Sequence, residues 1–191
     1  MSPSRSSLPV RSTLGPRATT DQVRIGVSIP IPEPYASSLA RVRTEVGDEA
    51  ALAIPPHITL VPPVMVHDGQ IGAVMEHLSD VAARTPPFVV ELRGTDTFRP
   101  LTQVVFVVVA RGSEQCTRLH ELVNDGPLHQ ELRFPYHPHV TIAHDVPPAA
   151  LDQAGQRMAD FDATFPVAQF SLYEFGDDGV WRDVRTFVLT S

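Results

Sequence analysis

The chain of 191 residues contains no lysine, so all fifteen of its basic side chains are arginines. A lysine is the nucleophile of ligases that pass through a lysine–adenylate, the phosphate-binding residue of a Walker-type loop and the amine of Schiff-base chemistry. All three chemistries are therefore excluded for this sequence.

Cysteine and long apolar runs are also scarce. The single cysteine, Cys116, cannot form an internal disulfide, which suits a reducing compartment, and we expect a cytoplasmic protein. No apolar run approaches the roughly 20 residues that cross a bilayer, so no membrane association is expected. Residues 1–20 hold three arginines and no acid but lack the apolar core of a secretory signal, and we interpret residues 1–21 as a disordered leader.

The composition is that of an ordinary globular domain, with 42% hydrophobic and 19% charged residues. The net charge of −7 argues against long-range attraction to a nucleic-acid backbone. It does not exclude a small nucleotide, because a cleft can be locally positive on an acidic protein.

The order of predicted elements occurs twice along the chain. Each half contains a strand, a helix, a short histidine-bearing strand, a helix and a strand, and a closing hairpin turns at residues 177–179. From Val23 to His57 is 34 residues, and from Val104 to His139 is 35. The sequence therefore predicts one α+β domain over residues 22–191, with two duplicated lobes (about 22–100 and 101–191) and the histidine strands facing one cleft. The predicted strands are 23–32, 87–94, 103–110, 165–176 and 180–190, and the predicted helices are 35–47, 68–84, 113–126 and 147–161.

The two histidine strands carry the same motif. Residues 56–60 (PHITL) align without a gap with residues 138–142 (PHVTI). Side chains two apart in a strand share a face, so each motif presents an imidazole and a hydroxyl together while its apolar residues face the core. His57 and His139 are the candidate catalytic pair, and Thr59 and Thr141 are the candidate phosphate-binding hydroxyls.

This set of groups suits phosphodiester transfer. The reaction needs a base to activate the attacking oxygen and an acid to protonate the leaving oxygen, on opposite sides of phosphorus. Two imidazoles on symmetry-related strands meet that need without a metal, and threonine hydroxyls can hold the non-bridging oxygens. A strained 2′,3′-cyclic phosphate needs metal assistance least. Unshifted imidazoles predict a bell-shaped pH profile with limbs at about pH 6 to 8.

Other side chains are candidates for contact with the substrate. Phe98 could stack on a base and Arg99 could pair with phosphate, while packing and solvent exposure are the alternative readings. Tyr136 is a candidate cleft wall. Trp181 is expected to pack within the closing hairpin.

Two other functions remain open from the residues alone. A metal centre could use His137, His139, His144 and a carboxylate such as Asp145. That reading gives the two threonines no role. A protein that binds a phosphorylated ligand without turnover is the second alternative, although binding alone would not need two proton carriers.

The motifs PHITL and PHVTI resemble those of the 2H phosphoesterase superfamily, which includes 2′-5′ RNA ligase-like proteins and RNA 2′,3′-cyclic phosphodiesterases. The resemblance covers most of residues 22–190. It includes the segment LRGTDTFRP (92–100) and the hairpin segments SLYEF and VWRDVRTFVL. It implies a bilobal α+β fold with antiparallel sheets flanking a central cleft, and catalysis without a cofactor or metal.

The resemblance also implies roles for the motif residues. His57 would protonate the leaving 3′-oxygen and His139 would activate water, with the roles reversed in 2′-5′ ligation. The expected partner is a small nucleotide or an RNA terminus with a cyclic phosphate, or another 2′-5′-linked or cyclic phosphodiester. We expect a monomer with no obligate protein partner. His144 stands in the segment AHDV where such proteins often have a basic residue, which makes it a further candidate contact.

Overall fold

The computed structural model describes residues 21–190, so the predicted leader over residues 1–21 lies outside the described residues except for Asp21. These residues form four α-helices and eight β-strands. The helices are α1 (Tyr35–Glu45), α2 (Ile71–Ala83), α3 (Ser113–Val123) and α4 (Pro148–Arg157). The strands are β1 (Gln22–Pro30), β2 (His57–His67), β3 (Phe88–Thr97), β4 (Val104–Arg111), β5 (His139–His144), β6 (Asp162–Val167), β7 (Gln169–Phe175) and β8 (Trp181–Val188). None of the helices in this range combines the length and apolarity needed to cross a membrane.

The hydrophobic pattern of each strand matches its place in the sheet. Edge strand β6 alternates strictly between exposed and buried residues. The inner strand β4 is an almost continuous apolar run, and its first four residues are all buried. Helix α2 places Val74, Leu78 and Val81 on one buried face. One apolar core therefore lies between the helices and one face of the sheet.

All eight strands belong to one antiparallel sheet, in the order β6-β3-β4-β5-β2-β1-β7-β8. The order is symmetric about its centre, where β2 meets β5 through a single residue pair, Ile58 and Val140. Outward from that centre, β1 corresponds to β4 and β7 corresponds to β3. The predicted duplicated, antiparallel α+β fold is confirmed, and the two expected sheets are joined into one along the histidine strands.

The halves of the sheet do not follow the halves of the chain. Strand β3 comes from the first repeat but pairs with β4. Strand β7 comes from the second repeat but pairs with β1. Each repeat thus gives its last strand to the other, because antiparallel pairing with the next strand along the chain is the shortest route for β3. The division of the sheet therefore does not fall at the predicted lobe boundary near residue 100.

The single strand predicted over residues 165–176 is wrong. The segment contains two strands, β6 and β7, separated only by Ala168. β6 pairs with β3 at one edge of the sheet, and β7 pairs with β1 near the other edge. One connecting residue can join them only because the sheet curls into a half-barrel. The predicted closing hairpin is confirmed. Its strands β7 and β8 pair from Gln169 with Val188 to Phe175 with Trp181.

Candidate active site

The two motif strands meet at the middle of the sheet. Ile58 and Val140, the central residues of the two motifs, pair directly and are fully buried. Their neighbours in each motif therefore face the opposite side of the sheet, which is the concave surface. The core anchors both motifs and leaves their four polar side chains on one face, where Thr59 and His139 line a cleft and His57 and Thr141 lie outside its lining.

The register of that pair brings the four motif side chains together. Antiparallel pairing at the centre places Thr141 across from His57, and Thr59 across from His139. Residues directly opposite in such a pair have Cβ atoms about 4.5–5.5 Å apart. All four side chains are half-buried. The structure thus assembles the two imidazoles and two hydroxyls as one compact group.

Each imidazole is held by the carbonyl two residues before it. The Nδ1–H of His57 donates to the Pro55 carbonyl at 2.7 Å. The Nδ1–H of His139 donates to the His137 carbonyl, also at 2.7 Å. Since a carbonyl only accepts, both neutral rings carry their proton on Nδ1 and have a free lone pair on Nε2. The Thr59 hydroxyl donates to Nε2 of His57 at 3.1 Å.

Both imidazoles have a lowered pKa. Burial is the main cause and lowers the pKa of His57 to about 4, with further lowering by the charges of Arg43 and His139. The hydrogen bond to Pro55 opposes this shift. Burial likewise lowers the pKa of His139, against the effect of the bond to the His137 carbonyl. In the free protein at neutral pH, His57 and His139 are therefore both neutral.

Aromatic rings surround His139. The rings of Phe98 and Phe106 lie 4.9 Å and 5.1 Å from the His139 ring, centroid to centroid. Arg99, predicted with Phe98, is placed elsewhere, because its guanidinium lies 2.7 Å from the Asp152 carboxylate on α4. The structure therefore brings Phe98 to the site and engages Arg99 in an ion pair outside the cleft lining.

Tyr136 supports the backbone of the first motif. Its hydroxyl donates to the Thr59 carbonyl at 2.8 Å. Its ring stacks on His120 at 3.9 Å, and the Nδ1–H of His120 donates to the Leu60 carbonyl at 2.6 Å. These bonds satisfy carbonyls of β2 beyond its single pair with β5. Tyr136 thus lies in the cleft lining and also supports the motif.

A cleft of about 500 Å³ opens beside His139. It is lined mainly by apolar residues, with several polar ones, and its volume is in the usual range for a small-molecule site. The lining residues are Thr59, Pro62, Phe98, Leu101, Thr102, Leu132, Arg133, Phe134, Pro135, Tyr136, His137 and His139. The size and lining suit a ligand with an aromatic group and a phosphate.

The residues of the alternative metal centre do not converge. Within residues 21–190 no group of three or more histidine, cysteine, aspartate or glutamate side chains is placed to share a metal ion. His144 lies at the end of β5, exposed, with its Nε2 3.3 Å from the Asp145 carboxylate. It is not part of the cleft lining.

Trp181 is the residue that sequence reasoning missed. It lies in the closing hairpin as predicted, but its ring also stacks on His57, with centroids 5.3 Å apart and planes at 28°. Gly26 lies beneath the indole, where an added Cβ would come within 3.0 Å of it. A glycine in the interior of a strand indicates such a close approach, so Gly26 was the available signal.

Removing the indole is expected to raise the pKa of His57. Trp181→Ala exposes the His57 ring to water and so weakens the burial that lowers the His57 pKa to about 4. The pKa should therefore move toward the ordinary value of 6.5. An NMR titration of the His57 ring protons measures the shift. Trp181→Phe retains a stacked ring and is the matched control, with a pKa near that of the wild type. A His57 pKa unchanged in Trp181→Ala would contradict this origin of the shift.

The fold and the cleft define a class of protein: a duplicated α+β domain with paired His-x-Thr strands at the centre of a curled antiparallel sheet. This is the arrangement of the 2H phosphoesterases. The sequence matches the family model described as the 2′-5′ RNA ligase superfamily over residues 31–179, and the protein belongs to that family.

Relatives and solved structures agree with this membership. A protein of Bacillus mycoides named as a candidate phosphoesterase is 33% identical over 138 residues, which is 71% of this chain and 80% of the relative. Escherichia coli LigT, in its complex with 3′-AMP, has a TM-score of 0.62 at 18% identity, covering 90% of this chain and all of LigT. TT0787 of Thermus thermophilus has a TM-score of 0.62 at 23% identity, covering 87% and 97% of the two chains. The two structural likenesses show the shared fold.

Proposed function

We propose that this protein is a metal-independent phosphodiesterase that opens 2′,3′-cyclic phosphates of RNA ends or small nucleotides. The observation that carries the proposal is the matched pair of imidazoles. His57 and His139 start the two central strands, have the same tautomer and each have an Nε2 free of backbone bonds. A general acid and a general base of this kind are the minimum that in-line phosphoryl displacement requires.

The proposed reaction uses one protonated and one neutral histidine. Following the family resemblance, His139 accepts a proton from water as the water oxygen bonds to phosphorus. The bond from phosphorus to the 3′-oxygen breaks, His57 gives that oxygen a proton, and a 2′-phosphate remains. If a 5′-hydroxyl replaces water in this step, the product is a 2′-5′ linkage, and the two histidines then keep these roles rather than exchanging them.

The threonines and the aromatic wall have separate roles in this proposal. Thr59 and Thr141 donate to the non-bridging oxygens, where charge develops in the transition state. Binding requires the Thr59 hydroxyl to turn from His57 Nε2 toward the phosphate, which leaves that nitrogen free. Phe98 and Tyr136 offer ring faces and edges to a base. LigT has been crystallised with 3′-AMP, NADP+ and ATP, which supports a nucleotide as the ligand of this fold.

The pH dependence of hydrolysis tests the proposal. Activity needs one imidazole charged and one neutral, and in the free protein both pKa values lie below 6.5, that of His57 at about 4. The singly protonated form, of which only a fraction carries its proton on His57, is therefore most populated below pH 6.5. We expect kcat/KM to be highest there and to fall about tenfold per pH unit at higher pH. Bound phosphate stabilises the imidazolium, so the bell of kcat should lie at higher pH than that of kcat/KM.

The measurement is hydrolysis of a nucleoside 2′,3′-cyclic phosphate in EDTA between about pH 4 and 9. Trp181→Ala should move the acidic limb of kcat/KM upward, whereas Trp181→Phe should leave it in place. Values of kcat/KM that are constant over the whole range would contradict acid–base catalysis by two histidines.

A further inference from the structure

Among residues 21–190, those that line the cleft beside His139 include an arginine and no acidic side chain. The whole chain has 22 acidic residues and a net charge of −7, yet none of them lines this cleft. His137 and His139 also line it, with ring centroids 6.0 Å apart. The cleft is thus complementary to anions, and the permanent charge of Arg133 is additional to the proton carriers that the reaction uses.

Arg133 supplies the permanent positive charge in this lining. Its side chain is exposed, and its guanidinium lies over the Phe134 ring, 5.2 Å from the centroid. None of the ion pairs formed within residues 21–190 includes Arg133. By contrast, Arg43 and Arg99 are engaged with Asp48 and Asp152. The guanidinium of Arg133 is therefore available for a bidentate bond to a phosphate.

His139 and Arg133 belong to two parts of the cleft. His139 is at the start of β5 and lies close to Thr59, where the reacting phosphate would bind. Arg133 lies in the segment before β5, beside the exposed Phe134. The rest of the lining is mostly apolar, with Phe98 and Tyr136 among it. A ligand that satisfies all of these groups has an aromatic base and two separate phosphates.

We infer that Arg133 binds a second phosphate of the substrate, on the 5′ side of the nucleotide whose 2′,3′-cyclic phosphate reacts. The inference rests on the proposed function and makes it more specific. That second phosphate is either the terminal 5′-monophosphate of a small nucleotide or the linking phosphate of an RNA strand.

Comparison of three substrates tests the inference. We would measure kcat/KM for adenosine 2′,3′-cyclic phosphate, for its 5′-phosphorylated form and for the dinucleotide ApA with a 2′,3′-cyclic end. The wild type should prefer one or both of the last two by about tenfold, mainly through KM, because a charge-assisted bond is gained. A preference confined to the dinucleotide identifies a strand phosphate, and one confined to the mononucleotide identifies a terminal phosphate.

Arg133→Gln should abolish this preference, because it lowers kcat/KM for the two substrates with a second phosphate by about tenfold more than it lowers kcat/KM for adenosine 2′,3′-cyclic phosphate. Arg118→Gln, which removes an exposed arginine on α3 outside the cleft lining, is the matched control and should retain the preference. Equal kcat/KM for all three substrates in the wild type would overturn the inference. So would an equal loss on all three in Arg133→Gln.

A binding measurement separates this inference from the proposed function. Calorimetry with adenosine 3′,5′-bisphosphate and with 3′-AMP requires no turnover. The bisphosphate should bind about tenfold more tightly to the wild type, and the difference should vanish in Arg133→Gln. If that difference is found without hydrolysis, the proposed function fails and the second phosphate site stands. If hydrolysis occurs but the two ligands bind equally and the dinucleotide is not preferred as a substrate, the second site fails and the proposed function stands.

Discussion

Replacing His139 with alanine is expected to lower kcat for cyclic-phosphate hydrolysis by about 10²–10⁴-fold, and His57→Ala should have a loss of the same size. Each substitution removes one of the two proton carriers at the centre of the sheet. Neither ring is buried in the apolar core, since both lie on the concave face opposite Ile58 and Val140. The loss should therefore appear in kcat with little change in the stability of the fold.

The double variant shows whether the two histidines act together. When groups act as one catalytic unit, removing both costs about as much as removing either. We expect the double variant to be within about tenfold of the poorer single variant. His67→Ala, an exposed histidine at the end of β2, is the control and should retain wild-type kcat. A loss below about tenfold in either single variant would contradict a proton-transfer role for that histidine.

Arg43→Met is expected to lower the free energy of unfolding by about 3–5 kcal/mol. Arg43 and Asp48 are each only 5% exposed, and they form an ion pair with Nε and Oδ2 2.9 Å apart. The same guanidinium donates to the Ile54 carbonyl at 2.7 Å. Without Arg43 the buried carboxylate of Asp48 has lost its counter-charge, which is the costly outcome for a buried pair.

Urea denaturation measures this loss. Arg41→Met removes an exposed arginine from the same helix and should change the free energy of unfolding by no more than about 0.5 kcal/mol. Arg43→Met combined with Asp48→Leu should recover much of the stability, because no buried charge remains. A loss of less than about 1 kcal/mol in Arg43→Met would show that the pair is not desolvated in the folded protein.

Arg43→Met should also change the pKa of His57 in the active site. Ile54 directly precedes Pro55, whose carbonyl holds the Nδ1–H of His57. Arg43 also contributes to the lowered pKa of His57. We therefore expect the His57 pKa to rise in Arg43→Met, which the same NMR titration would detect.

The elements and the four motif residues could be predicted because they depend on local patterns. An alternation of period two places His57 and Thr59 on one face, and its repetition around His139 identifies the symmetric strand. Every predicted helix was found, with ends that differ by a few residues. Cys116 on α3 is fully buried, which raises the pKa of its thiol to about 12.

The features that could not be predicted depend on contacts between distant parts of the chain. Trp181 of β8 reaches His57 only because its indole lies over Gly26 of β1. The ion pair of Arg99 with Asp152 depends on the placement of α4. The break at Ala168 has no turn residue to mark it. Whether Arg133 forms an ion pair likewise depends on which acidic side chains lie near it in space.

The most direct measurement is hydrolysis of the four nucleoside 2′,3′-cyclic phosphates in EDTA by the wild type, His57→Ala and His139→Ala. Two-histidine catalysis predicts turnover by the wild type on at least one of them, unaffected by EDTA and lost in both variants. Turnover that EDTA abolishes, or that survives in either variant, would contradict it.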